Sequence, residues 1–230
     1  MNRPSACLLF LALASLSPAA ISAESLKSLQ QSAAGGDAPA QFRLGDRYDL
    51  GDGVPRDYAE AARWYRKAAE QGHPGAQFAL AEMYKNGDGV PRDLAEALKW
   101  YRKAADQGQP GAQLLLGVMY EGGEGVAVDM KEAARWYRLS AGNGDARAQL
   151  LLGNLYNTGQ GVPRDAVAAY ALYTVSARNV AQGNPAPGHR AQLARTMSQA
   201  QVDAGNALAR EMARPGNLLV ALDRHLKQGA

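Results

Sequence analysis

The feature that most constrains this chain is an internal repeat. When the 230-residue sequence is shifted along itself by 36 residues, four blocks come into register without a gap. Every block contains an Ala-Gln pair, a Leu with a Tyr four residues later, a Gly-x-Gly-Val segment, and an Asp ahead of an Ala-rich stretch. A period of this length indicates an array of supersecondary units, each of which buries its apolar face against its neighbours.

The first half of each block is predicted to be an α-helix. In the first block, Ala40, Leu44 and Tyr48 recur at i, i+4 and i+8 and so share one helix face. Gly51 is predicted to end this helix, because glycine readily adopts the left-handed conformation found after helix C-termini. The Gly-x-Gly-Val segment is therefore the predicted turn between two helices, with Val54 inserted between them.

The second half of each block is predicted to be a helix that begins after an aspartate. Asp57 is placed to accept backbone N–H groups as an N-cap, and Glu60 to reach back and complete a capping box. The same pair recurs in the next two blocks, whereas the fourth keeps only the aspartate. In the fourth block this helix is expected to be longer than the others. One face carries small and aromatic residues that are predicted to enter the core, in the first block Ala61, Trp64, Tyr65 and Ala68.

Residues 184–230 depart from the repeat and are predicted to form C-terminal capping helices. A loop is expected at 184–188, then a short helix through Leu193, then a helix that begins with a capping box of Ser198 and Gln201. A final amphipathic helix is indicated by its apolar residues, Leu218, Leu219, Leu222 and Leu226. The alternative is that this Leu-rich helix stays exposed and docks on a partner.

The first 23 residues have the layout of a secretory signal peptide. A basic start precedes an apolar run over residues 6–16, and small residues lead to Ala23. The run is shorter than the roughly 20 apolar residues that span a bilayer. We therefore predict cleavage after Ala23, a periplasmic mature chain with no transmembrane segment, and an N-terminal segment over 24–36. Cleavage would also remove Cys7, the one cysteine. The alternative is a buried N-terminal helix.

The composition argues against several classes of function. The net charge is +3, from 25 Lys and Arg against 22 Asp and Glu, and the charges are interspersed, which does not indicate a nucleic-acid partner. Three histidines and one cysteine are too few for a multi-ligand metal site. The sequence contains no Gly-x-Ser-x-Gly elbow and no phosphate-binding loop. We therefore predict no catalytic residue, no cofactor and no metal. Basic clusters on the second helices are interpreted as a solvated face, with a weak site for an acidic partner as the alternative.

The repeated motifs resemble those of the Sel1-like repeat family, relatives of the tetratricopeptide repeats. The resemblance rests on Leu-Gly-x-x-Tyr, Gly-x-Gly-Val-Pro-x-Asp and Ala-x-x-Trp-Tyr-x-x-Ala-Ala-x-x-Gly, and it covers residues 37–183. It implies an all-α fold, an α/α solenoid of four 36-residue helix-turn-helix repeats with C-terminal capping helices.

The resemblance also implies a non-enzymatic adaptor that binds a protein partner. Exported relatives include regulators of sensor kinases, scaffolds for exopolysaccharide secretion, and immunity proteins against type VI effectors. We therefore expect an envelope regulator, a secretion component or a toxin effector as the partner. The alternative is a secreted hydrolase or penicillin-binding protein, as in a cysteine-rich branch of the family. The predicted mature chain lacks the cysteines of that branch.

By the same resemblance, the first helices line a concave groove that binds the partner. The positions that the repeat leaves free change from charged in the first block to apolar in the third and fourth. The predicted partner-binding residues are Met83, Leu115, Val118, Met119, Leu151, Asn154 and Leu155. The alternative is packing between adjacent repeats, which is favoured for Met83, Met119 and Leu155.

Export can be tested directly at the N-terminus. The exported protein is expected to begin at Glu24, because the signal layout places the cut after Ala23. N-terminal sequencing of protein from the periplasmic fraction measures this. A mature protein that still begins with Met1 would contradict the export prediction.

Overall fold

The computed structural model describes residues 18–178 and 183–228, with side chains from Leu26 onward. Over those residues the chain forms twelve α-helices and no strand. The helices are α1 (Pro18–Ala34), α2 (Ala38–Leu50), α3 (Tyr58–Glu70), α4 (Pro74–Asn86), α5 (Leu94–Asp106), α6 (Pro110–Gly122), α7 (Met130–Gly142), α8 (Ala146–Thr158), α9 (Ala166–Ser176), α10 (Ala186–Ala194), α11 (Gln199–Met212) and α12 (Leu218–Gln228). The predicted all-α class is confirmed, and the fold is an α/α solenoid.

The chain divides into two compact units, of which the first ends at Arg92. In this unit α1 packs on α2, α2 on α3, and α3 on α4. Ala33, Leu44 and Trp64 form a buried cluster at its start, with Leu26 and Leu29 of α1 packed against it. The segment that follows the predicted signal is therefore a helix that covers the first repeat. Most of the predicted signal peptide, residues 1–17, lies outside the described residues.

The second unit begins at Asp93 and contains α5 to α12. Neighbouring helices pack in sequence from α5 to α9, after which α10 and α11 both pack on α9. Helix α12 packs on α11 and reaches back to α7. The C-terminal helices thus cover the last repeat, as predicted. The largest fully buried side chains of this unit include Trp136, Tyr137, Leu152 and Tyr173.

The aspartates begin the second helices as predicted, but the following glutamates do not complete a capping box. The Asp57 carboxylate accepts the backbone N–H groups of Ala59 and Glu60 at 2.9 and 3.0 Å. Glu60 instead pairs with Arg63, 2.6 Å away on the next turn, because a guanidinium attracts a carboxylate more strongly than a neutral N–H does. The equivalent glutamates pair in the same way, Glu96 with Lys99 and Glu132 with Arg135. A complete capping box is formed by Ser198 and Gln201.

Each turn depends on two glycines for different reasons. Gly51 ends α2 in the left-handed conformation at φ 73°, as predicted. Gly89 has a φ of 66°, and a Cβ at this position would lie 2.2 Å from the carbonyl oxygen of Tyr58. The second glycine of a turn therefore rests on the start of the preceding second helix, where a side chain does not fit. Gly161 repeats this contact against Met130 in the second unit.

Another glycine allows the two helices of a repeat to approach closely. A Cβ at Gly45 of α2 would lie 2.6 Å from the ring of Tyr65 of α3. The same contact joins Gly117 to Tyr137 at 2.4 Å. Real Cβ atoms essentially never approach ring carbons this closely, so the ring takes the volume that a side chain would fill. The Leu-Gly-x-x-Tyr motif is therefore a packing motif.

The end of the repeat array differs from the prediction in two places, and Asn184 accounts for both. Helix α9 has 11 residues and ends at Ser176, so the predicted longer helix is wrong. The Asn184 amide donates to the Ser176 carbonyl oxygen at 2.8 Å, which satisfies a group left free at the helix end. The predicted loop at 184–188 is shorter than expected: Asn184 and Pro185 lie outside a helix, but α10 begins at Ala186, whose N–H Asn184 accepts at 2.9 Å.

The core position of the repeat tryptophan is tested by Trp100→Ala. Trp100 is 7% exposed on α5, so its removal leaves a cavity and is expected to lower the free energy of unfolding by about 3–5 kcal/mol. Urea denaturation measures this. The matched control is Leu139→Ala on the exposed face of α7, which is expected to cost far less. A loss below about 1 kcal/mol for Trp100→Ala would contradict its core placement.

The N-cap role is tested by Asp93→Ala. The Asp93 carboxylate accepts the N–H groups of Ala95 and Glu96 at 2.9 and 3.0 Å, and its loss leaves both without this acceptor. The free energy of unfolding is expected to fall by about 0.5–2 kcal/mol, whereas Asp93→Asn keeps an acceptor and most of the stability. The same denaturation experiment compares the two variants. Equal stability of Asp93→Ala and the wild type would rule out the cap.

Candidate protein-binding surface

The predicted partner-binding residues separate by burial. Met83 of α4, Met119 of α6 and Leu155 of α8 are only 4%, 2% and 1% exposed. Each belongs to the buried side of its first helix. These three residues offer a partner no surface and are core residues, so the interpretation as packing residues applies to them and they leave the candidate site.

Three of the apolar residues remain accessible. Leu115 and Val118 of α6 and Leu151 of α8 are half-buried, and all three belong to the second unit. Leu115 and Leu151 occupy the same position in successive repeats. The buried residues of α6 and α8 fill the core beside them. The accessible parts of these three side chains are therefore available for contact with another protein. We call these three residues the apolar surface.

Asn154 has a structural role instead. Its side-chain oxygen accepts the Tyr173 hydroxyl at 2.8 Å and lies 3.0 Å from Nδ1 of His189. These contacts join α8 to α9 and to α10. Asn154 therefore lies beneath the C-terminal helices and is not a free side chain of a partner-binding surface.

In the first, third and fourth blocks, the tyrosine that contacts the repeat glycine donates its hydroxyl proton to a side chain of the first helix. Tyr65 donates to Asp46 at 2.8 Å, in the repeat position that Asn154 occupies in the fourth block. The third block has Val118 at this position, and Tyr137 donates to Glu121 one turn later. Burial, reinforced by the bond to Glu121, raises the pKa of Tyr137. These hydroxyls stay protonated at neutral pH and act as structural donors.

A pocket of about 400 Å³ lies beside Leu151. Its walls include Leu150 and Pro185, and its edge carries Arg147. The Arg147 side chain is exposed and forms no salt bridge with any carboxylate of the described residues. The sequence analysis did not identify Arg147, although a comparison of the four blocks could have indicated it. The other blocks have Pro39, Gly75 and Gly111 at this position, none of which carries charge.

The basic clusters predicted on the second helices are engaged within the protein. Arg63 pairs with Glu60, and Arg138 pairs with Asp223 of α12. Lys103 lies over the ring of Trp100, with its ammonium 4.1 Å from the ring centroid. Arg66, Lys67, Lys99, Arg102 and Arg135 make comparable contacts with a tyrosine hydroxyl, a tryptophan ring or a glutamate. These contacts favour the solvated-face interpretation over a site for an acidic partner.

The histidines also have local structural partners. His73 accepts the N–H of Ala76 at the start of α4, at 3.1 Å. His225 of α12 lies 2.9 Å from the Asp165 carboxylate, the N-cap of α9. Among the described residues there is no group of three His, Cys, Asp or Glu side chains placed to hold a metal ion. None of the helices within 18–178 and 183–228 is long and apolar enough to cross a membrane.

The repeats match a known protein family. The family model of the Sel1 repeat matches residues 38–73, 74–109, 110–145 and 146–179. No curated protein matches the chain. Among solved structures, a Sel1 repeat protein from Oxalobacter formigenes is 34% identical with a TM-score of 0.67, and the match covers 81% of this chain and 78% of that one.

A second solved structure is c5321, a protective antigen present in uropathogenic Escherichia coli strains. It is 35% identical with a TM-score of 0.66, and the match covers 89% of this chain. This chain spans 49% of that protein's length. The immunity protein Pa5087 from Pseudomonas aeruginosa is 21% identical with a TM-score of 0.34, which is too low to carry an argument about function. Sel1 repeat proteins generally mediate protein–protein interactions. From the four matched repeats, the chain belongs to the Sel1 repeat family.

Proposed function

We propose that this chain is a non-enzymatic adaptor of the bacterial periplasm or cell envelope, which binds a protein partner through the first helices of its second unit. The observation that carries the proposal is the apolar surface of Leu115, Val118 and Leu151 on α6 and α8. Neighbouring apolar side chains that stay partly accessible can form a protein-binding site, and Leu151 also borders a pocket that can receive a partner's side chain. Export rests on the signal layout of residues 1–23.

The charges on α6 and α8 indicate the chemistry of the partner. The two helices carry two charged residues, Glu121 and Arg147. Glu121 accepts the Tyr137 hydroxyl, whereas Arg147 has no carboxylate partner among the described residues. A partner segment with apolar side chains and an acidic group near Arg147 would therefore complement this surface.

Two roles fit this adaptor. It could regulate an envelope sensor, or it could be an immunity protein that binds a type VI effector, and the identity of the partner distinguishes the two. The structural contacts of the histidines and of Tyr137 support a non-enzymatic role over the hydrolase or penicillin-binding alternative, because these candidate acid–base groups already serve the fold.

Affinity capture from an envelope extract tests the site. The bait is the mature chain from Glu24, compared with the double variant Leu115→Glu/Leu151→Glu. The matched control is Leu139→Glu/Val220→Glu, which places the same two charges on exposed apolar residues of α7 and α12. All three are first checked for equal helicity by circular dichroism.

The wild type and the control are expected to capture a partner that mass spectrometry identifies. The Leu115→Glu/Leu151→Glu variant is expected to lose it. Buried carboxylates in an apolar interface cost affinity strongly, so a loss of at least about tenfold is expected. Equal capture by all three baits would contradict the proposed surface. Loss with only the control variant would move the site to α7 and α12.

A further inference from the structure

A second pocket lies at the other end of α8 from the pocket beside Leu151, and its lining residues are more polar. Its volume is about 330 Å³, and it lies between the end of α8, the turn before α9, Tyr173 of α9 and helix α10 with the residues after it. The side chains that line it are almost all polar, and Leu193 is the one aliphatic residue among those described. No carboxylate lies among its described lining residues. Its volume is at the small end of ligand pockets, about 300–1,000 Å³, which suits a single sugar-sized molecule.

One wall of the pocket supplies hydrogen-bond donors. Arg164 donates its Nε–H to the carbonyl oxygen of Asn157 at 3.0 Å, which fixes the guanidinium plane and leaves both terminal amino groups for a ligand. Two terminal amino groups in one plane match the two oxygens of a carboxylate. The amide of Gln192 adds a donor and an acceptor beside the guanidinium.

Other side chains supply acceptors. Thr158 donates its hydroxyl proton to the Asn154 carbonyl oxygen at 2.9 Å, and Thr196 donates to the Leu193 carbonyl oxygen at 2.8 Å. Both hydroxyl oxygens therefore keep lone pairs for a ligand. His189 contacts the Asn154 side-chain oxygen through Nδ1 at 3.0 Å, so in the neutral ring the proton lies on Nδ1 and Nε2 is an acceptor.

We propose that this pocket, which we call the polar pocket, binds a small polyhydroxylated carboxylate of the uronic acid class. The carboxylate pairs with Arg164, and the sugar hydroxyls donate to Thr158, Thr196 and Nε2 of His189. A cationic ligand has no carboxylate to pair with, and the ammonium of an amino acid would be left without a partner. A single guanidinium suits one negative charge.

The polar pocket is a property of the last repeat alone. Arg92 in the second block makes the same bond, from Nε to the carbonyl oxygen of Lys85 at 3.0 Å. In these two turns the arginine therefore has a structural role. In the fourth block α10 stands beside that turn and brings His189, Gln192 and Thr196 to it, so the guanidinium acquires a ligand-sized space in front of it.

Calorimetric titration of the full chain with D-glucuronate tests the proposal, with D-glucose and acetate as comparators. Glucuronate is expected to bind at least about tenfold more tightly than either comparator, because only it engages both the guanidinium and the hydroxyl acceptors. Arg164→Gln is expected to lose this binding. The matched control Arg92→Gln loses the same turn bond in the first unit and is expected to bind as the wild type does.

Gln192→Ala provides a variant that does not disturb the turn, since Gln192 is an exposed residue of α10. It is expected to weaken glucuronate binding several-fold and to leave the thermal unfolding temperature unchanged. No glucuronate binding at millimolar concentration, equal binding of acetate, or equal losses with Arg164→Gln and Arg92→Gln would each overturn the proposal. The Leu115→Glu/Leu151→Glu variant should bind glucuronate normally, so the polar pocket and the protein-binding proposal fail independently.

Discussion

In three of the four blocks the helix pair depends on a glycine of the first helix, because the tyrosine ring of the second helix occupies the space where a Cβ would lie. At Gly117 that atom would lie 2.4 Å from the ring of Tyr137, and Gly153 meets Tyr173 in the same way. The close approach sets the spacing of the helix pair and brings the hydroxyl within reach of an acceptor on the first helix. The tyrosine hydroxyl is therefore partly buried with a hydrogen-bond partner, so its burial does not leave a polar group unsatisfied. Block two has Ala81 at this position, so one methyl group is the largest side chain found there.

Each first helix contains positions of two kinds, with different freedom to vary. The buried residues, Met119 and Leu155 among them, can change only with the core around them. The positions that are not buried contribute less to packing, so their residues can differ between blocks at smaller cost in stability. Arg43 in the first block and Leu115 in the third stand at one such position. The repeat thus fixes the scaffold and leaves the surface chemistry of each block independent.

The parts of the structure that could be predicted from the sequence are those that local patterns determine. Helix faces, the N-cap at Asp57 and the left-handed glycine at Gly51 each depend on residues within one or two turns. The missed features depend on contacts between distant residues. Asn184 ends α9 through a bond to Ser176, and Asn154 is covered because His189, 35 residues later, folds onto it. The glutamate of the expected capping box was missed for another reason, since Arg63 competes for it.

The end of the repeat array carries surface features that the other repeats do not share. Each earlier repeat in the second unit is followed by another that covers its side with nearly the same residues. The last repeat is followed instead by a segment free of the repeat pattern, which places Asn184 and Pro185 near one end of α8 and His189 and Gln192 near the other. One helix thereby borders an apolar pocket edged by Arg147 and a polar pocket edged by Arg164. Because these pockets are formed with non-repeat residues, they can change in evolution without altering the motif on which the stacking of the repeats depends.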